Sequence, residues 1–435
     1  MKYRISKPRN LTAEVTLPAS KSISNRALVL SVLSGGNARQ LTNVSDCDDT
    51  TVMLHALSWP DTIDVGAAGT SMRFLTALLS LGRGRHLITG SERMCHRPIG
   101  VLVNALRELG ADINYAGEEG FPPLIITGRK LHGGKVSLPG NISSQFISAL
   151  LMIAPQLEEG LTMNLTGEVI SRPYIQMTME MMRSFGAQVD WQGDSAIRVE
   201  PKSYLPTPYL IEADWSAASY WYEMVLLSES EQETATLVGL FEQSLQGDSA
   251  VADLFGQLSV RSIYLSTGSQ QPKTTLIRRG ALPARLDADF TNTPDLAQTL
   301  VVTCALKGVP FRFTGLQSLR IKETDRIAAL QTELRKLGVQ VDVEGDSIMS
   351  WAGPQQQSKG EVPYMQPAPD TTIDTYDDHR MAMAFAPAAL VLGSIDINHP
   401  EVVSKSYPRF WEDLERAGFE IRPISEMSNN RNNEK

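Results

Sequence analysis

One local pattern recurs along this 435-residue chain: an amphipathic helical stretch that ends at a glycine and is followed at once by strand-like alternation. It reads NALRELGADI at residues 104–113, EMMRSFGAQV at 180–189, TELRKLGVQV at 332–341 and EDLERAGFEI at 412–421. In each copy the glycine occupies the position after the helix, where left-handed backbone is favoured. The alternating residues that follow predict a short strand. The chain is therefore predicted to consist of repeated helix–strand units.

The spacing of these glycines predicts the number of units. They lie at positions 110, 186, 338 and 418, which are 76, 152 and 80 residues apart. Because the middle interval is twice the first, a further copy is expected near residue 262, where ADLFGQLSVRSIY (252–264) fits with Ser259 in place of the glycine. One period before residue 110 leaves room for a first copy, giving six copies of roughly 73 residues. This period is longer than that of most solenoids and predicts a compact α+β unit with two helices and a small sheet.

Six such units need apolar cores, and the 42% of hydrophobic residues is ample for them. The three cysteines form no CxxC pair, so neither a disulfide framework nor a zinc site is predicted. A net charge of −9 disfavours nucleic acid as a partner. The N-terminus lacks the apolar segment of a secretory signal, and the longest apolar run, Met381–Leu392, is too short to span a bilayer. We expect a cytoplasmic protein with no nucleic-acid or membrane partner.

Eight clusters of basic and small polar residues stand out against this acidic background. They are PASKSISNR (18–26), GAAGTSMR (66–73), ERMCHRPIG (92–100), SSQ (143–145), SRPY (171–174), RIKETDR (320–326), DDHR (377–380) and SKSYP (404–408). Backbone N–H groups at helix starts, together with arginine and lysine, form anion sites. Each cluster by itself is also compatible with an ordinary helix cap or a solvated charged turn. Together they favour polyanionic substrates and acid–base chemistry without a metal or cofactor, because no His pair has metal-ligand spacing.

The order of the motifs is specific. Between Lys21 and Trp411 the chain carries KSISNR, GAAGTSMR, RPIG, SSQ, SRPY, EADWSAASY, TPD, RIKETDR, DDHRMAM and KSYPRFW. In this order and spacing they resemble the 3-phosphoshikimate 1-carboxyvinyltransferases (5-enolpyruvylshikimate-3-phosphate synthases) of the enolpyruvyl transferase family. The resemblance implies an α/β (α+β) fold with two domains, each of three βαβαββ units in an inside-out pseudo-threefold barrel. One domain would be residues 21–213 and the other residues 1–20 plus 214–435, with the active site in the cleft between them.

The resemblance also implies an activity, namely transfer of the enolpyruvyl group of phosphoenolpyruvate to the 5-hydroxyl of shikimate 3-phosphate. Phosphoenolpyruvate would be bound by Lys21, Gly69, Arg97, Gln145, Arg326, Arg380 and Lys405. Shikimate 3-phosphate would be bound by Lys21, Ser22, Arg26, Ser143, Ser144, Gln145, Ser171, Tyr174, Asp295 and Lys322. Asp295 would be the base for the hydroxyl, and Glu323 or Lys21 would protonate the methylene carbon. No cofactor or metal is implied, and the family tendency is a monomer.

Several positions depart from the pattern of the family. Ala19 replaces a glycine, Ala67 an asparagine, Phe74 a proline, Ser318 an asparagine and Trp215 a small residue. In addition, Leu57–Gly66 is too short for the hairpin usual at that point. These departures leave the charged residues of the motifs intact.

Two other functions remain open at the level of sequence. A UDP-N-acetylglucosamine enolpyruvyl transferase carries a catalytic cysteine shortly before its Arg-Pro, and Cys95 lies two residues before Arg97. That spacing is shorter than in the cysteine-dependent family, and KETDR and DHRMAM argue against it. A non-catalytic binding protein with the same fold is the second alternative. Ala67 and Phe74 favour it mildly, and the retained Asp295 and Glu323 argue against it.

Overall fold

A computed structural model describes residues 1–265, 271–355, 363–369 and 371–424 of the chain. Its elements follow the predicted helix–strand units. The first half contains β1 (Lys2–Ser6), β2 (Thr12–Thr16), α1 (Lys21–Leu33), β3 (Leu41–Thr42), α2 (Asp48–Ala56), β4 (Thr62–Asp64), α3 (Gly69–Leu81), β5 (Arg85–Thr89), α4 (Glu92–Cys95), α5 (Gly100–Glu108), β6 (Asp112–Tyr115), β7 (Leu124–Thr127), β8 (Gly134–Pro139), α6 (Ser144–Ile153), β9 (Leu161–Thr166), α7 (Arg172–Ser184), β10 (Val189–Gln192) and β11 (Ala196–Val199).

The second half continues in the same manner. It contains β12 (Tyr209–Leu210), α8 (Trp215–Leu227), β13 (Thr234–Val238), α9 (Val251–Gln257), β14 (Val260–Leu265), β15 (Lys273–Arg278), β16 (Leu286–Asp289), α10 (Ala297–Lys307), β17 (Phe311–Thr314), α11 (Arg326–Lys336), β18 (Asp342–Glu344), β19 (Ile348–Trp351), β20 (Thr372–Ile373), α12 (His379–Phe385), α13 (Ala389–Leu392), β21 (Ser394–Asn398), α14 (Phe410–Arg416) and β22 (Glu420–Ile424).

In the part of the chain that the structure describes, five four-stranded sheets share one topology. In β4-β5-β7-β6, β8-β9-β11-β10 and β16-β17-β19-β18 the first two strands are parallel and the other pairings are antiparallel. A helix connects the parallel pair, as a crossover requires. The sheets β2-β13-β15-β14 and β20-β21-β1-β22 each take one strand from the N-terminal segment. The βαβαββ unit implied by the resemblance is thereby confirmed, and the N-terminal segment completes two units of the second half.

The helix-ending glycines confirm the repeat. Gly110, Gly186, Gly338 and Gly418 all have positive φ, between 75° and 101°. Ser259, predicted to stand in for the missing glycine, has φ 70° and follows α9 in the same way. Its Oγ donates a hydrogen bond to the carbonyl oxygen of Ala281 at 2.5 Å. Ser259 thus adopts the left-handed backbone conformation that usually requires glycine, and its side chain forms a hydrogen bond in that conformation.

The first unit is shorter than the others. It consists of α1, β3 and α2, and β12 completes it as a parallel partner of β3. After α2 the chain turns at Trp59, which has φ 60°, and enters β4 of the next unit directly. The prediction that Leu57–Gly66 is too short for a hairpin is therefore confirmed. Among the described residues, the six predicted units therefore comprise five with a four-stranded sheet and one that lacks its hairpin.

The buried apolar residues form two separate cores. One is built from residues 19–211, the other from residues 5–17 and 213–419. The chain crosses between them twice, and the two crossing segments pair through an antiparallel bridge between Ala19 and Ala213. The side chain of Gln246 forms hydrogen bonds with both crossing segments. It accepts from Ser20 Oγ at 2.9 Å and donates to the carbonyl oxygen of Ala213 at 2.8 Å. Among the described residues no helix combines the length and apolar character needed to cross a membrane.

Candidate active site

A cavity of about 330 Å³ lies between the two cores. The helices α1, α3 and α6 begin at its wall from one side, with Lys21, Gly69 and Ser144 as their first residues. From the other side α11 and α12 begin there, with Arg326 and His379. Helix N-termini present unpaired N–H groups and the positive end of the helix dipole. Their convergence makes this cavity a site for anions.

Nearly all the site residues predicted from the sequence lie together here. The cavity wall includes Lys21, Ser22, Arg26, Gly69, Arg97, Ser143, Ser144, Gln145, Ser171, Tyr174, Asp295, Lys322, Glu323, Arg326 and Arg380. Lys405 lies just behind the wall, where its Nζ is 3.0 Å from Glu323 Oε1 and donates to the carbonyl of Ala67 at 3.1 Å. Ala67 contributes a backbone oxygen to this contact, so its lost amide side chain leaves the contact intact.

Arg326 is the centre of the charged network. Its guanidinium is only 1% exposed and contacts three carboxylates. Nη1 lies 3.0 Å from Asp295 Oδ1, Nη2 lies 2.9 Å from Glu323 Oε2, and Nε lies 2.7 Å from Asp378 Oδ2. The fork of an arginine is suited to several carboxylates at once, because its donors have fixed directions. Arg326 therefore fixes the two carboxylates predicted to do the acid–base chemistry.

Asp295 forms ion pairs with three cations, Arg326 and two others. Its Oδ2 lies 3.1 Å from Arg380 Nη2, and its Oδ1 lies 3.4 Å from Lys322 Nζ. Burial opposes ionisation, but the charges of Arg380, Lys322 and Arg326 outweigh it and hold the pKa of Asp295 well below its usual range. Asp295 is therefore ionised at neutral pH.

Glu323 is ionised for a similar reason. Burial alone would raise its pKa, but Lys405, Arg326 and Arg97 hold the pKa of Glu323 well below its usual range. An ionised carboxylate cannot donate a proton.

Lys21 has a partner that the sequence did not reveal. Its Nζ lies 3.3 Å from Asp49 Oδ2 in the first turn of α2. Burial lowers the pKa of Lys21, but the negative charges of Asp49 and Glu323 raise it above that of free lysine. Asp49 resembled an ordinary acidic residue at a helix start, and nothing in its spacing pointed to Lys21.

Arg73 and His379 are also part of the wall and were given no role from the sequence. Arg73 has no carboxylate within 4.0 Å in the described part of the chain, and burial next to Arg97 lowers its pKa to about 9. Burial and the charges of Lys21 and Arg380 hold the pKa of His379 well below its usual value. Both residues stood within quoted motifs, so their motif membership was the signal that could have identified them.

Asp248 is a second buried carboxylate that sequence reasoning missed. It lies in a 3-10 turn (Gly247–Ala250) and accepts hydrogen bonds from Tyr174 OH at 3.1 Å and from Ser216 Oγ. Burial, followed by the charge of Asp295, raises the pKa of Asp248 to about 6. It connects the second half of the chain to a residue predicted to bind shikimate 3-phosphate.

We expect Asp248→Asn to increase the free energy of unfolding above pH 6. A raised pKa means that the ionised carboxylate is unfavourable in the folded state, and asparagine removes that charge. The gain should be about 1–3 kcal/mol above pH 6, should become small as the pH falls from 6 to 4, and should vanish at about pH 3, where aspartate is protonated in both states. Urea unfolding at pH 4 and pH 7.5 measures it. A gain that is equal at both pH values would contradict this electrostatic origin.

Cys95 lies outside the cavity wall. It is half-buried, and its Sγ contacts the carbonyl of Gly90 at 3.6 Å and Thr89 Oγ1 at 4.0 Å. At Gly69 an added Cβ would lie 2.9 Å from Arg97 Nη1, so any larger residue there would displace the Arg97 guanidinium. Among the described residues no group of three or more His, Cys, Asp or Glu side chains is arranged to hold a metal ion.

Comparisons with known proteins agree on one family. The family model described as EPSP synthase (3-phosphoshikimate 1-carboxyvinyltransferase) matches residues 5–59 and 56–414. A 3-phosphoshikimate 1-carboxyvinyltransferase of Bacteroides fragilis (strain YCH46) is 55% identical over 423 residues, covering 97% of this chain and 99% of the relative. One from Vibrio cholerae serotype O1 (strain M66-2) is 37% identical, covering 92% and 96%. A solved EPSP synthase from Acinetobacter baumannii has a TM-score of 0.73 at 24% identity, covering 97% and 100%, and supports the fold.

Proposed function

The chain belongs to the EPSP synthase family, the 3-phosphoshikimate 1-carboxyvinyltransferases, and we propose that the cavity between its two cores is where it carries out that transfer. It is a transferase of the shikimate pathway, which leads to aromatic amino acids. The observation that carries the proposal is the convergence of buried cations on two carboxylates at a meeting point of helix N-termini. Such a site suits two anionic substrates whose reaction moves protons.

In this proposal the two substrates bind side by side in the cavity, each to its own set of residues, and the two sets share Lys21 and Gln145. Phosphoenolpyruvate contacts Lys21, Gly69, Arg97, Gln145, Arg326, Arg380 and Lys405. Shikimate 3-phosphate contacts Lys21, Ser22, Arg26, Ser143, Ser144, Gln145, Ser171, Tyr174, Asp295 and Lys322. Their side chains supply charge-assisted hydrogen bonds to phosphate and carboxylate, and neutral ones to ring hydroxyls.

Two domains, residues 21–213 and residues 1–20 plus 214–435, form the two walls in this proposal. Separate cores on either side of the paired crossings support the division. Contacts between the walls close the cleft: Ser404 Oγ donates to Asp48 Oδ2 at 2.5 Å, and Arg93 Nη2 donates to the carbonyl of Lys322 at 3.4 Å. Closure of this kind excludes water and completes the catalytic arrangement.

The chemical steps assign one role to each carboxylate. Asp295 takes the proton of the 5-hydroxyl as that oxygen forms a bond to C2 of phosphoenolpyruvate, and an acid delivers a proton to the methylene carbon. The resulting tetrahedral intermediate loses phosphate, and the new methyl group returns a proton. Cations around the departing phosphate stabilise its charge.

Glu323 is favoured over Lys21 as the acid. Although burial lowers the pKa of Lys21, its negative neighbours Asp49 and Glu323 hold that pKa above the value of free lysine, so the ammonium group holds its proton firmly. Glu323 shares Lys405 and Arg326 with the proposed phosphoenolpyruvate site. When the anionic ligand binds these cations, the pKa of Glu323 rises and the carboxyl group takes up a proton.

The experiment that tests this function is phosphate release by the purified protein. The reaction contains phosphoenolpyruvate with either shikimate 3-phosphate or UDP-N-acetylglucosamine as acceptor. Release with shikimate 3-phosphate alone is the expected result. Release with the sugar nucleotide would establish the other enolpyruvyl transfer, and binding of both proposed ligands without release would establish a non-catalytic binding protein.

We expect Cys95→Ser to keep kcat and both KM values within about twofold. Cys95 Sγ forms its hydrogen bonds with Gly90 and Thr89, and Cys95 lies outside the cavity wall. Steady-state kinetics of the variant and of the unsubstituted protein measure this. Loss of activity in the serine variant would return the cysteine-dependent mechanism to consideration.

We further propose that the enzyme acts in the cytoplasm as a monomer. One chain supplies both walls of the cavity, so the site is complete without a second copy. The three free cysteines suit a reducing compartment. Light scattering of the purified protein measures the oligomeric state.

A further inference from the structure

Phe74 is an aromatic residue at a position where the family has proline, and it lies deep in the first core. It is 1% exposed and is the sixth residue of α3. Proline has no N–H for the helical hydrogen bond and offers no aromatic surface. Phenylalanine at this position therefore changes what the neighbours of the helix can contact.

The ring of Phe74 lies against a cation of the site. The guanidinium carbon of Arg26 is 5.2 Å from the centroid of that ring, and Arg26 is itself only 2% exposed. The other partners of Arg26 are neutral: Nε donates to Thr178 Oγ1 at 2.7 Å, Nη1 to the carbonyl of Ser22 at 2.8 Å, and Nη2 to Ser148 Oγ at 3.2 Å.

No carboxylate lies within 4.0 Å of Arg26 among the residues that the structure describes, so its charge is buried without a counter-ion. Burial lowers the pKa of Arg26 to about 10 as a result. Three of the five guanidinium N–H groups are used by the neutral partners, and two remain for a ligand in the cavity that Arg26 lines. The electron-rich face of an aromatic ring attracts a cation, most strongly where water is excluded.

We propose that Phe74 is a positioning residue for shikimate 3-phosphate, because its ring holds the Arg26 guanidinium at the cavity wall in place of a carboxylate. A carboxylate there would occupy the free N–H groups and cancel the charge that the anionic substrate has to meet. The ring stabilises the cation and leaves both N–H groups available. This inference rests on the proposed function, in which Arg26 binds shikimate 3-phosphate.

The test is Phe74→Leu, which keeps an apolar side chain of similar bulk and removes the ring. The dissociation constant of shikimate 3-phosphate, measured by calorimetry, and its KM should each rise about tenfold. The KM for phosphoenolpyruvate should stay within about twofold. Phe185→Leu is the matched control, since Phe185 is a fully buried ring of the same core that does not line the cavity. It should lower stability and leave both KM values unchanged.

An Arg26→Met background separates the ring–cation contact from simple packing. There the cation is absent, so adding Phe74→Leu should weaken binding of shikimate 3-phosphate less than twofold further. An equal loss in both backgrounds, or equal increases in the two KM values, would overturn the proposed role. If the unsubstituted protein binds no shikimate 3-phosphate, the proposed function fails. If that protein binds it and Phe74→Leu binds it equally well, only the role of Phe74 fails.

Discussion

Asp295→Asn is expected to lower kcat by about 10²–10⁴, the usual contribution of a positioned general base. Asparagine has nearly the same shape and keeps an oxygen that can accept from Arg326 Nη1 or Arg380 Nη2. It cannot take the proton of the substrate hydroxyl. The loss should therefore appear in kcat, while binding of shikimate 3-phosphate, measured by calorimetry, changes much less.

Asp325→Asn is the matched control for that variant. Asp325 caps the start of α11 by accepting from Ala328 N at 3.1 Å, and it pairs with Arg320 outside the network of Arg326. Asparagine caps helices about as well as aspartate. The control should keep wild-type kcat. If Asp295→Asn retained kcat within threefold, the base would have to be another group.

Arg326→Met is expected to lower the free energy of unfolding at pH 7 by about 3–5 kcal/mol and to abolish turnover. Methionine approximates the length of the side chain but leaves the carboxylates of Asp295, Glu323 and Asp378 without their shared cation. Removing one partner of a buried ionic network is costly because the remaining charges stay buried. Urea unfolding measures the change. Arg312→Met is the control, since its 3.6 Å pair with Glu344 is exposed and should contribute less than 1 kcal/mol.

The pH dependence of that variant has a definite sign. The pKa values of Asp295 and Glu323 are depressed in the folded protein. Their ionisation therefore contributes stability that is present above about pH 4 and is lost as the pH falls through the folded-state values. The gap in stability between wild type and Arg326→Met should be full at pH 7 and should narrow below pH 4. A gap below 1 kcal/mol at pH 7 would contradict the central role of Arg326.

Much of the fold was accessible from sequence because its signals are local. A residue with positive φ directly after a helix is usually glycine, so Gly110, Gly186, Gly338 and Gly418 marked the repeat directly. The spacing then located Ser259, which has no sequence signal of its own. The family resemblance assigned residues 1–20 to the same domain as residues 214–435. The pairing of β1 and β2 with particular distant strands was not predicted, because strand pairing over hundreds of residues has no local signature.

The sequence by itself determined the repeat, the family motifs and the set of charged residues that the cavity contains. Only the tertiary structure decided which of them meet. Three contacts found only in the folded protein are the ion pair of Asp49 with Lys21, the hydrogen bond of Tyr174 to Asp248, and the packing of the Arg26 guanidinium against the ring of Phe74. Each of these contacts joins different secondary-structure elements, so no periodicity or spacing encodes it. The protonation states follow the same rule, because a pKa depends on burial and on the charges nearby, and both exist only once the chain has folded.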